Sequence, residues 1–564
     1  MHPASRWPSL FLSLLLVFTH SADAFFHRPL RPTLPPPPRQ LLLFGQTPVK
    51  HVCDGSEPNT GVAYFDQLLD HSVKQSKCKL SLPRRTFKQR YFWSNESWGG
   101  PGYPVIVMSS GEGSLDGFCS FLHPPSLLAK IAERVRAAIL VIEHRYYGES
   151  SPFQRLTTQT LQQLTLYNAI HDLTYFARNV KLPFDPTANT SKLSNAPNSP
   201  WILSGGSYPG ALSAWTASLD PGTFWGYHAS SAPVQAVYDF WQYFEPIRAG
   251  MPPNCSRGLA DITAYIDHAT MTLPPTELAA LKDEWGLGVV TDPADFASYS
   301  TVDITTKASS VASFFKDKIL PGLCYERYGY KEFAPNNNTD SPIATCLNSF
   351  NSSSIIYTDR AVNNSMNVQW SWMLCNEPFG WWQTGQTPPG LPAISSRLMT
   401  PEYFQRQCDV MFGPNSAEFK ANGGGPFAGG DGIASASINS ATSNTYGSAT
   451  GKTAEMLNDW TSGWEFNTRR ILWVNGEFDP WRPASVSSTF RPGGPLESTP
   501  DAPVIIIKGG RHCEDFFARS NNTYLANVVE QEVSYIAGFV DEFYDANTKP
   551  GQNRTLSRLL PMRE

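Results

Sequence analysis

The stretch from residue 201 to residue 215 restricts the possible folds of this chain more than any other. Trp201-Ile-Leu203 is apolar, Gly205-Gly-Ser207 follows, and small apolar residues continue from Ala211. This pattern predicts a buried strand that turns sharply into a helix at the serine. The positive end of that helix would favour negative charge near the Ser207 hydroxyl. The backbone N–H of Tyr208 would then be placed to bind an oxyanion.

An ordinary glycine–serine turn in a parallel sheet would explain the same pattern. The usual five-residue form, Gly-x-Ser-x-Gly, is also imperfect, because Pro209 stands in its last position and the glycine follows at Gly210. The two interpretations differ in what they require later in the chain. A catalytic serine needs a histidine that accepts its proton and a carboxylate that orients the histidine.

Both partners occur later, each after a predicted strand. Residues 471–474 are a strand that leads to Asp479, and residues 504–507 are a strand that leads to His512. Parallel sheets place their sites at the carboxyl ends of the strands. The order of Ser207, Asp479 and His512 is that of α/β-hydrolases and differs from the orders of the two other main serine peptidase classes.

Each partner has competitors. Glu477 is a second carboxylate on the same loop as Asp479, and Asp479 before a proline is also typical of a simple turn. His144 and His228 are alternatives to His512, which could lie on a surface loop without a function. The joint match in order and position favours the triad.

The surrounding pattern predicts an α/β-hydrolase fold with a mostly helical cap inserted between nucleophile and acid. Strands at 104–108 and 137–142 and a helix at 161–180 precede the elbow, and helices are predicted at 275–285, 310–319 and 524–544, with one starting at Thr400. The predicted division is a signal peptide at 1–24, a proline-rich linker or pro-segment at 25–50, the first part of the hydrolase domain at 51–238, the cap at 239–458 with a glycine/serine-rich loop at 421–451, the second part of the hydrolase domain at 459–545, and a tail at 546–564.

The first residues predict secretion. Arg6 precedes an apolar run at 10–18, and Ala22-Asp-Ala24 forms a cleavage site. The apolar run is far shorter than a membrane span, which needs about 20 residues. The net charge of −5 leaves no basic footprint for nucleic acid. We therefore expect neither a nucleic-acid nor a membrane partner, and an extracellular or acidic vacuolar location.

The nine cysteines suit an oxidising compartment and predict four disulfides and one free thiol, with unknown pairing. No CxxC spacing occurs, so we expect no zinc site and no other metal or organic cofactor. Acceptor triplets for N-glycosylation stand at Asn95, Asn189, Asn254, Asn337, Asn351, Asn363, Asn521 and Asn553.

Four motifs resemble those of the S28 serine peptidases, the family of prolyl carboxypeptidase, dipeptidyl peptidase 7 and the fungal acid prolyl endopeptidases. They are Gly205-Gly-Ser-Tyr-x-Gly210, Glu143-His-Arg-Tyr-Tyr-Gly-Glu-Ser150, Cys375-Asn-Glu-Pro-Phe-Gly-Trp-Trp-Gln-Thr384 and Asn475-Gly-x-x-Asp-Pro-Trp481. The resemblance spans about residues 60 to 540 and is strongest to the fungal branch.

The resemblance implies cleavage on the carboxyl side of proline, with Ser207 as nucleophile, Asp479 as orienting acid and His512 as base. It implies oxyanion donors at Tyr208 and in the loop of Gly111 and Glu112, and an acidic pH optimum. Glu112 would bind a substrate amine in an aminopeptidase-type member, or bond only locally. Two departures are Pro209 and the Cys-Glu-Asp sequence after His512, where a disulfide is a possibility.

A proline-specific pocket should be a flat aromatic slot. Its candidates are Trp481, beside the acid, and Phe379, Trp381 and Trp382 in the cap motif; ordinary core packing is the alternative for each. Two other functions compete with a proline-specific peptidase. One is a serine carboxypeptidase or esterase without proline preference, and the other is a secreted binding glycoprotein without activity. Endo-, carboxy- and dipeptidyl-peptidase modes are not distinguished by the sequence.

Overall fold

The computed structural model describes residues 53–73, 84–285, 287–288, 292–296, 349–350, 352, 354–364, 367–414, 416, 445–517 and 522–547. The predicted signal peptide, the proline-rich segment, the tail after residue 547, the helix at 310–319 and most of the glycine/serine-rich loop lie outside these residues. None of the described helices is both long enough and apolar enough to cross a membrane.

An eight-stranded sheet forms the centre of the molecule. Its strands, in chain order, are β1 (Thr60–Leu68), β2 (Thr86–Ser94), β3 (Val105–Ser109), β4 (Ala138–Ile142), β5 (Trp201–Gly206), β6 (Gly226–Ser230), β9 (Ile471–Gly476) and β10 (Val504–Ile507), while β7 (Val237–Asp239) and β8 (Gly380–Trp382) form a separate pair. The spatial order is β1-β2-β4-β3-β5-β6-β9-β10. From β4 to β10 all neighbours are parallel, and β2 is antiparallel to both β1 and β4. This is an α/β-hydrolase sheet, as predicted.

Helices cover both faces of the sheet. They are α1 (Leu127–Val135), α2 (Leu166–Asn179), α3 (Tyr208–Leu219), α4 (Phe244–Gly250), α5 (Pro253–Thr272), α6 (Pro275–Glu284), α7 (Ile355–Thr358), α8 (Val368–Asn376), α9 (Pro401–Phe412), α10 (Ala454–Thr461) and α11 (Thr523–Asn547). One core joins α1 and α11 to the sheet, and the other joins α2, α3 and the helices α8 to α10. Because both faces are covered, β3 and β4 are buried along their whole length and are apolar except for Ser109 at the end of β3.

The chain between β6 and β9 adds no strand to the main sheet within the described residues. It forms helices α4 to α10 and the β7–β8 pair, which is the region where the sequence predicts a helical cap. The predicted helix start at Thr400 is confirmed, because its side chain accepts the Tyr403 N–H at the beginning of α9. The exact domain boundaries stay a prediction.

The disulfide count predicted from the sequence is wrong. Cys53 pairs with Cys119 and Cys375 with Cys408, but Cys255 and Cys513 are free. With two of the nine cysteines unpaired, the chain holds at most three disulfides. The disulfide considered for the His512 loop is also wrong, because Cys513 is a buried thiol. The prediction assumed that all cysteines but one form pairs. A free cysteine can instead pack in a core as a small apolar side chain.

Candidate active site

The predicted elbow is formed at the end of β5. Ser207 has φ 63° and ψ −133°, a left-handed conformation that costs energy for a residue with a side chain. The two preceding glycines are required sterically. A Cβ atom at Gly205 would lie 2.1 Å from the Pro209 carbonyl oxygen, and one at Gly206 would lie 2.6 Å from the Phe516 ring. Pro209 is in the first turn of α3, where a missing N–H costs nothing.

The end of β6 holds the elbow and the histidine loop together. The Ser207 N–H donates to the Ser230 carbonyl over 2.9 Å. The Ser230 hydroxyl donates to Asp515 over 2.7 Å, and the Cys513 N–H donates to the Ser231 hydroxyl over 2.9 Å. We call Ser230 and Ser231 the β6 anchor. It fixes the loop that carries the predicted base relative to the predicted nucleophile.

Asp479 and His512 form the pair that the sequence predicts. His512 Nδ1 lies 3.0 Å from Asp479 Oδ1, and the same oxygen accepts the Trp481 N–H over 2.9 Å. Asp479 is fully buried, whereas the His512 side chain is 14% exposed, so its ring reaches the open side of the site. The rival carboxylate of Glu477 accepts the Gly509 N–H instead.

Two neighbours, Cys513 and Asp479, shift the pKa of His512. Burial disfavours the protonated ring, but Cys513 and the hydrogen-bonded Asp479 carboxylate favour it more strongly, and the pKa of His512 is raised well above 6.5. Burial raises the pKa of the Cys513 thiol, and the adjacent His512 ring lowers it.

The two rival histidines have structural partners. His144 Nδ1 lies 2.9 Å from the Arg145 carbonyl, so this nitrogen carries the proton, and Nε2 accepts the Tyr208 hydroxyl at 3.1 Å. Burial lowers the pKa of His144 to about 4 and keeps it neutral. His228 is buried on β6 with its Nδ1 2.9 Å from the Ser204 hydroxyl. Neither ring reaches the open side of the site.

Within the described residues, the Ser207 side chain makes no hydrogen bond that caps α3, and the hydrogen bond of His512 goes to Asp479 and not to Ser207. Its neighbour Gly206 packs against the residue after His512, since a Cβ there would lie 2.9 Å from Cys513 Sγ. In unliganded hydrolases the hydrogen bond between nucleophile and base is often long and shortens only when substrate binds. The structure thus brings the loop of Ser207 and the loop of His512 into contact. We expect the hydrogen bond between the two side chains to form when substrate binds.

The motif that begins at Glu143 supports the site without entering it. Arg145 makes a doubly hydrogen-bonded ion pair with Asp172, with both distances at 2.6 Å. Glu143 is buried and accepts hydrogen bonds from Arg90 and from the Leu115 N–H. These bonds hold the loop after β3 in place.

That loop carries the predicted oxyanion residues. The Gly111 N–H donates to the Ser109 hydroxyl over 3.1 Å, which disfavours Gly111 as a donor to substrate. The Glu112 carbonyl accepts from the Asn367 side chain over 2.9 Å, so the loop is tied to the residue that caps α8. Tyr208 is the first residue of α3, and an N–H at that position has no acceptor within its own helix.

Three of the four predicted pocket aromatics lie together. Phe379 stacks on Trp381 with ring centroids 4.6 Å apart, and Trp381 meets the edge of Trp481 at 5.6 Å. Trp481 in turn lies 6.5 Å from the His512 ring and is half-buried. Phe379 and Trp381 are almost fully buried. Only Trp481 therefore presents a sizeable surface beside the base.

Trp382 lies elsewhere. Side chains alternate along a strand, so Trp382 on β8 points away from Trp381. It stacks on Phe404 of α9 with rings 6.1 Å apart and donates to Gln405. The sequence analysis also missed the β6 anchor and Asn367. Only for Asn367 was a local signal present, an asparagine suited to a left-handed helix cap.

The comparisons with known proteins decide the family. A family profile described as Serine carboxypeptidase S28 matches residues 80–272, which include the elbow. The serine protease vicPb of Bipolaris victoriae (strain FI3) is 34% identical over 531 residues, or 87% of this chain and 91% of the relative. The chain belongs to the S28 family of serine peptidases. This S28 peptidase is thus a hydrolase in which Ser207 occupies the elbow position.

More distant relatives agree with this assignment. A probable extracellular serine carboxypeptidase of Arthroderma benhamiae is 28% identical over 87% of this chain and 69% of its own length. The human thymus-specific serine protease is 26% identical over 80% of this chain and 81% of its own length. Among solved structures, the peroxisomal alpha-beta-hydrolase Lpx1 of Saccharomyces cerevisiae covers 89% of this chain and 93% of its own at 11% identity. The TM-score of this match is 0.36.

Proposed function

We propose that this S28 peptidase is secreted and hydrolyses peptide bonds on the carboxyl side of proline. Ser207 is the nucleophile, His512 the general base and Asp479 the residue that orients the base. The observation that carries the proposal is the hydrogen bond between Asp479 and His512, held beside the elbow by the β6 anchor. A buried carboxylate on one ring nitrogen leaves the other nitrogen to act on the serine.

The reaction follows the usual course of acyl transfer. His512 Nε2 takes the proton of the Ser207 hydroxyl while Oγ attacks the carbonyl carbon of the proline residue. The tetrahedral intermediate collapses, His512 gives the proton to the leaving nitrogen, and an acyl-enzyme remains. A water molecule then repeats the attack with His512 as base, which releases the acid and restores Ser207. The N–H groups of Tyr208 and Glu112 are the proposed donors to the oxyanion.

Proline selectivity is proposed to come from Trp481. Its ring lies between the buried Trp381 and His512, so a pyrrolidine ring at P1 would pack on it next to the attacked bond. A flat aromatic face suits a ring that has no N–H and a fixed shape. Tyr243 and Phe240 pack against Trp481 from the other side and hold its orientation.

Replacing Trp481 with alanine should therefore reduce selectivity more than catalysis. The ratio of kcat/KM for a blocked peptide amide with proline at P1 to that with alanine should fall by about tenfold or more. Trp460→Phe, which changes a tryptophan that is 40% exposed on α10, serves as the matched control and should keep the ratio. An unchanged ratio in Trp481→Ala would remove this residue from the pocket.

The pH profile should differ from the acidic optimum that the family resemblance implies. Cys513 and Asp479 together raise the pKa of His512 well above 6.5, and a protonated imidazole cannot accept the serine proton. We expect kcat/KM to be low at pH 4 to 5 and to rise with pH through an apparent pKa above 6.5. Initial rates measured from pH 4 to 9 test this rise of kcat/KM with pH. Full activity at pH 4 would mean that His512 is neutral there and that its environment differs from the one described.

The mode of cleavage and the location rest on separate evidence. The predicted signal peptide and the name of the Arthroderma relative support secretion. Among the predicted glycosylation sites, Asn189, Asn254 and Asn363 are exposed and Asn95 is half-buried. The sites at Asn337, Asn351, Asn521 and Asn553 lie outside the described residues. The family description and the Arthroderma relative make a carboxypeptidase the second candidate.

Two substrates separate these modes. One is an N-blocked peptide with proline at P1 and an amide-linked chromophore, and the other ends in proline followed by one residue with a free carboxylate. Cleavage of the first indicates an endopeptidase, and cleavage of only the second indicates a carboxypeptidase. Cleavage of neither contradicts the proline-specific proposal. An alanine series with the same end groups then tests the carboxypeptidase or esterase without proline preference.

A further inference from the structure

Three buried side chains meet behind the proposed triad. His228 lies on β6, Asp515 follows the His512 loop, and Glu532 is on α11, so they come from distant parts of the chain. His228 Nε2 is 3.5 Å from Asp515 Oδ2 and 3.4 Å from Glu532 Oε2. All three side chains are at most 1% exposed. We call them the His228 cluster.

The atoms that face one another in this cluster have no hydrogen-bond partners within the described structure. They are His228 Nε2, Asp515 Oδ2 and both carboxylate oxygens of Glu532. A hydrogen bond between an imidazolium and a carboxylate is about 2.7–2.9 Å long, shorter than the separations seen here. Each of the two buried carboxylates forms a long ion pair with the same His228 ring, at 3.5 and 3.4 Å. His228 Nε2, Asp515 Oδ2 and Glu532 Oε2 thus face one another without a close hydrogen bond between them.

The outward-facing atoms of the same side chains are satisfied. His228 Nδ1 lies 2.9 Å from the Ser204 hydroxyl, and Asp515 Oδ1 accepts the Ser230 hydroxyl over 2.7 Å. This arrangement is typical of metal sites, in which outer hydrogen bonds orient the ligating imidazole and carboxylate. The serines fix the ring and the carboxylate so that their remaining atoms converge.

We propose that the His228 cluster binds a divalent transition-metal ion, with zinc as the best fit. The ligand atoms lie within 4.8 Å of one another. The two measured separations agree with the edge of a tetrahedron of about 3.4 Å, which follows from bonds of about 2.1 Å. The three side chains offer one ligand atom each, and the two carboxylates would balance the charge of the ion. An imidazole ligand favours zinc over calcium or magnesium.

This site revises the sequence-based prediction of no metal. That prediction relied on the absence of CxxC spacing, whereas the present donors are a histidine and two carboxylates up to hundreds of residues apart. Among the described residues, a second buried group of possible donors lies around His123, but its Cys53 and Cys119 are joined in a disulfide. The proposed ion would join α11 and the His512 loop to β6. The role is structural and does not depend on the proposed substrate.

The metal content of the untagged full-length protein tests the proposal. Protein produced with zinc in the medium is dialysed against metal-free buffer at pH 7 and analysed by mass spectrometry for all divalent metals. We expect about one zinc ion per chain in the wild type. Glu532→Gln and His228→Ala should each lower the content about tenfold or more. His171→Ala, which removes a half-buried histidine 3.9 Å from Asp220, is the matched control and should retain the ion.

Wild-type protein without bound metal, or variants that keep it, would overturn the proposal. If the two variants do not fold, X-ray absorption at the zinc edge of the wild type still decides. A shell of nitrogen and oxygen donors supports the cluster, and sulfur donors would place the ion at cysteines instead. Because none of these measurements uses peptidase activity, their failure is distinguishable from failure of the proposed function.

Discussion

Ser207→Ala should lower kcat by about 10⁴-fold or more while KM and the melting temperature stay near the wild-type values. The hydroxyl stands on a strained turn and serves no helix cap, so its removal takes away the nucleophile and no contact that stabilises the fold. The variant should also fail to react with a fluorophosphonate, which in the wild type should label Ser207 alone. Peptide mapping of the labelled protein identifies the modified residue.

The matched control for this variant is Ser213→Ala. Ser213 is buried on the same helix, and its hydroxyl donates to the Pro209 carbonyl over 3.0 Å. Losing that bond should reduce stability by about 1 kcal/mol and leave the chemical step intact. Equal activity of Ser207→Ala and wild type, or labelling at another serine, would refute the proposed nucleophile.

Asp479→Asn should lower kcat by about 10⁴-fold with little change in KM. An asparagine amide placed toward His512 Nδ1 favours the wrong ring tautomer, and it removes the charge that stabilises the imidazolium in the transition state. The same loss lowers the pKa of His512, because the Asp479 carboxylate is one of the two groups that raise it, together with Cys513. The acid limb of the residual activity should therefore move to lower pH. Rates of the variant from pH 4 to 9 test both effects.

Glu477→Gln separates the two carboxylates of this loop. Glu477 lies two residues from Asp479 but bonds the Gly509 N–H, so its neutral analogue should retain most of the activity. A large loss in Glu477→Gln together with a small one in Asp479→Asn would reverse the assignment of the acid.

The elbow and the acid–base pair could be predicted because their signals are local. Gly205 and Gly206 are needed because the Pro209 backbone and the Phe516 ring leave no room for a Cβ atom at these positions. The two glycines are visible in the sequence next to Ser207. Asp479 and His512 each follow an apolar run that only a buried parallel strand explains. The fold class followed from the same runs.

The antiparallel edge of the sheet was missed. In β1 the exposed residues Val62 and Tyr64 are apolar, and the buried Gln67 is polar, so the alternation expected of a half-buried strand is hidden. Gln67 is tolerated inside because its amide bonds both Gln89 and the Asp172 carbonyl. Such compensation depends on a partner far away in the chain and has no local signature.

The same limit applies to the pocket and to the cluster behind it. Trp381 and Trp382 are adjacent in sequence, but the direction of each side chain is decided by the pairing of β8 with β7. The convergence of His228, Asp515 and Glu532 depends on the strand order and on where α11 packs. Neither can be read from spacing along the chain.

The β6 anchor lies outside the cap. Ser230 and Ser231 hold both the elbow and the histidine loop, and Asp479 follows the neighbouring strand, so the cap supplies none of the three proposed reacting side chains. The distance between serine and base is then set by a buried strand end that never meets the peptide. Substitutions in the cap should therefore leave the relative position of Ser207 and His512 unchanged. The proposed selectivity residue Trp481 is tied to the same frame, because its N–H donates to Asp479.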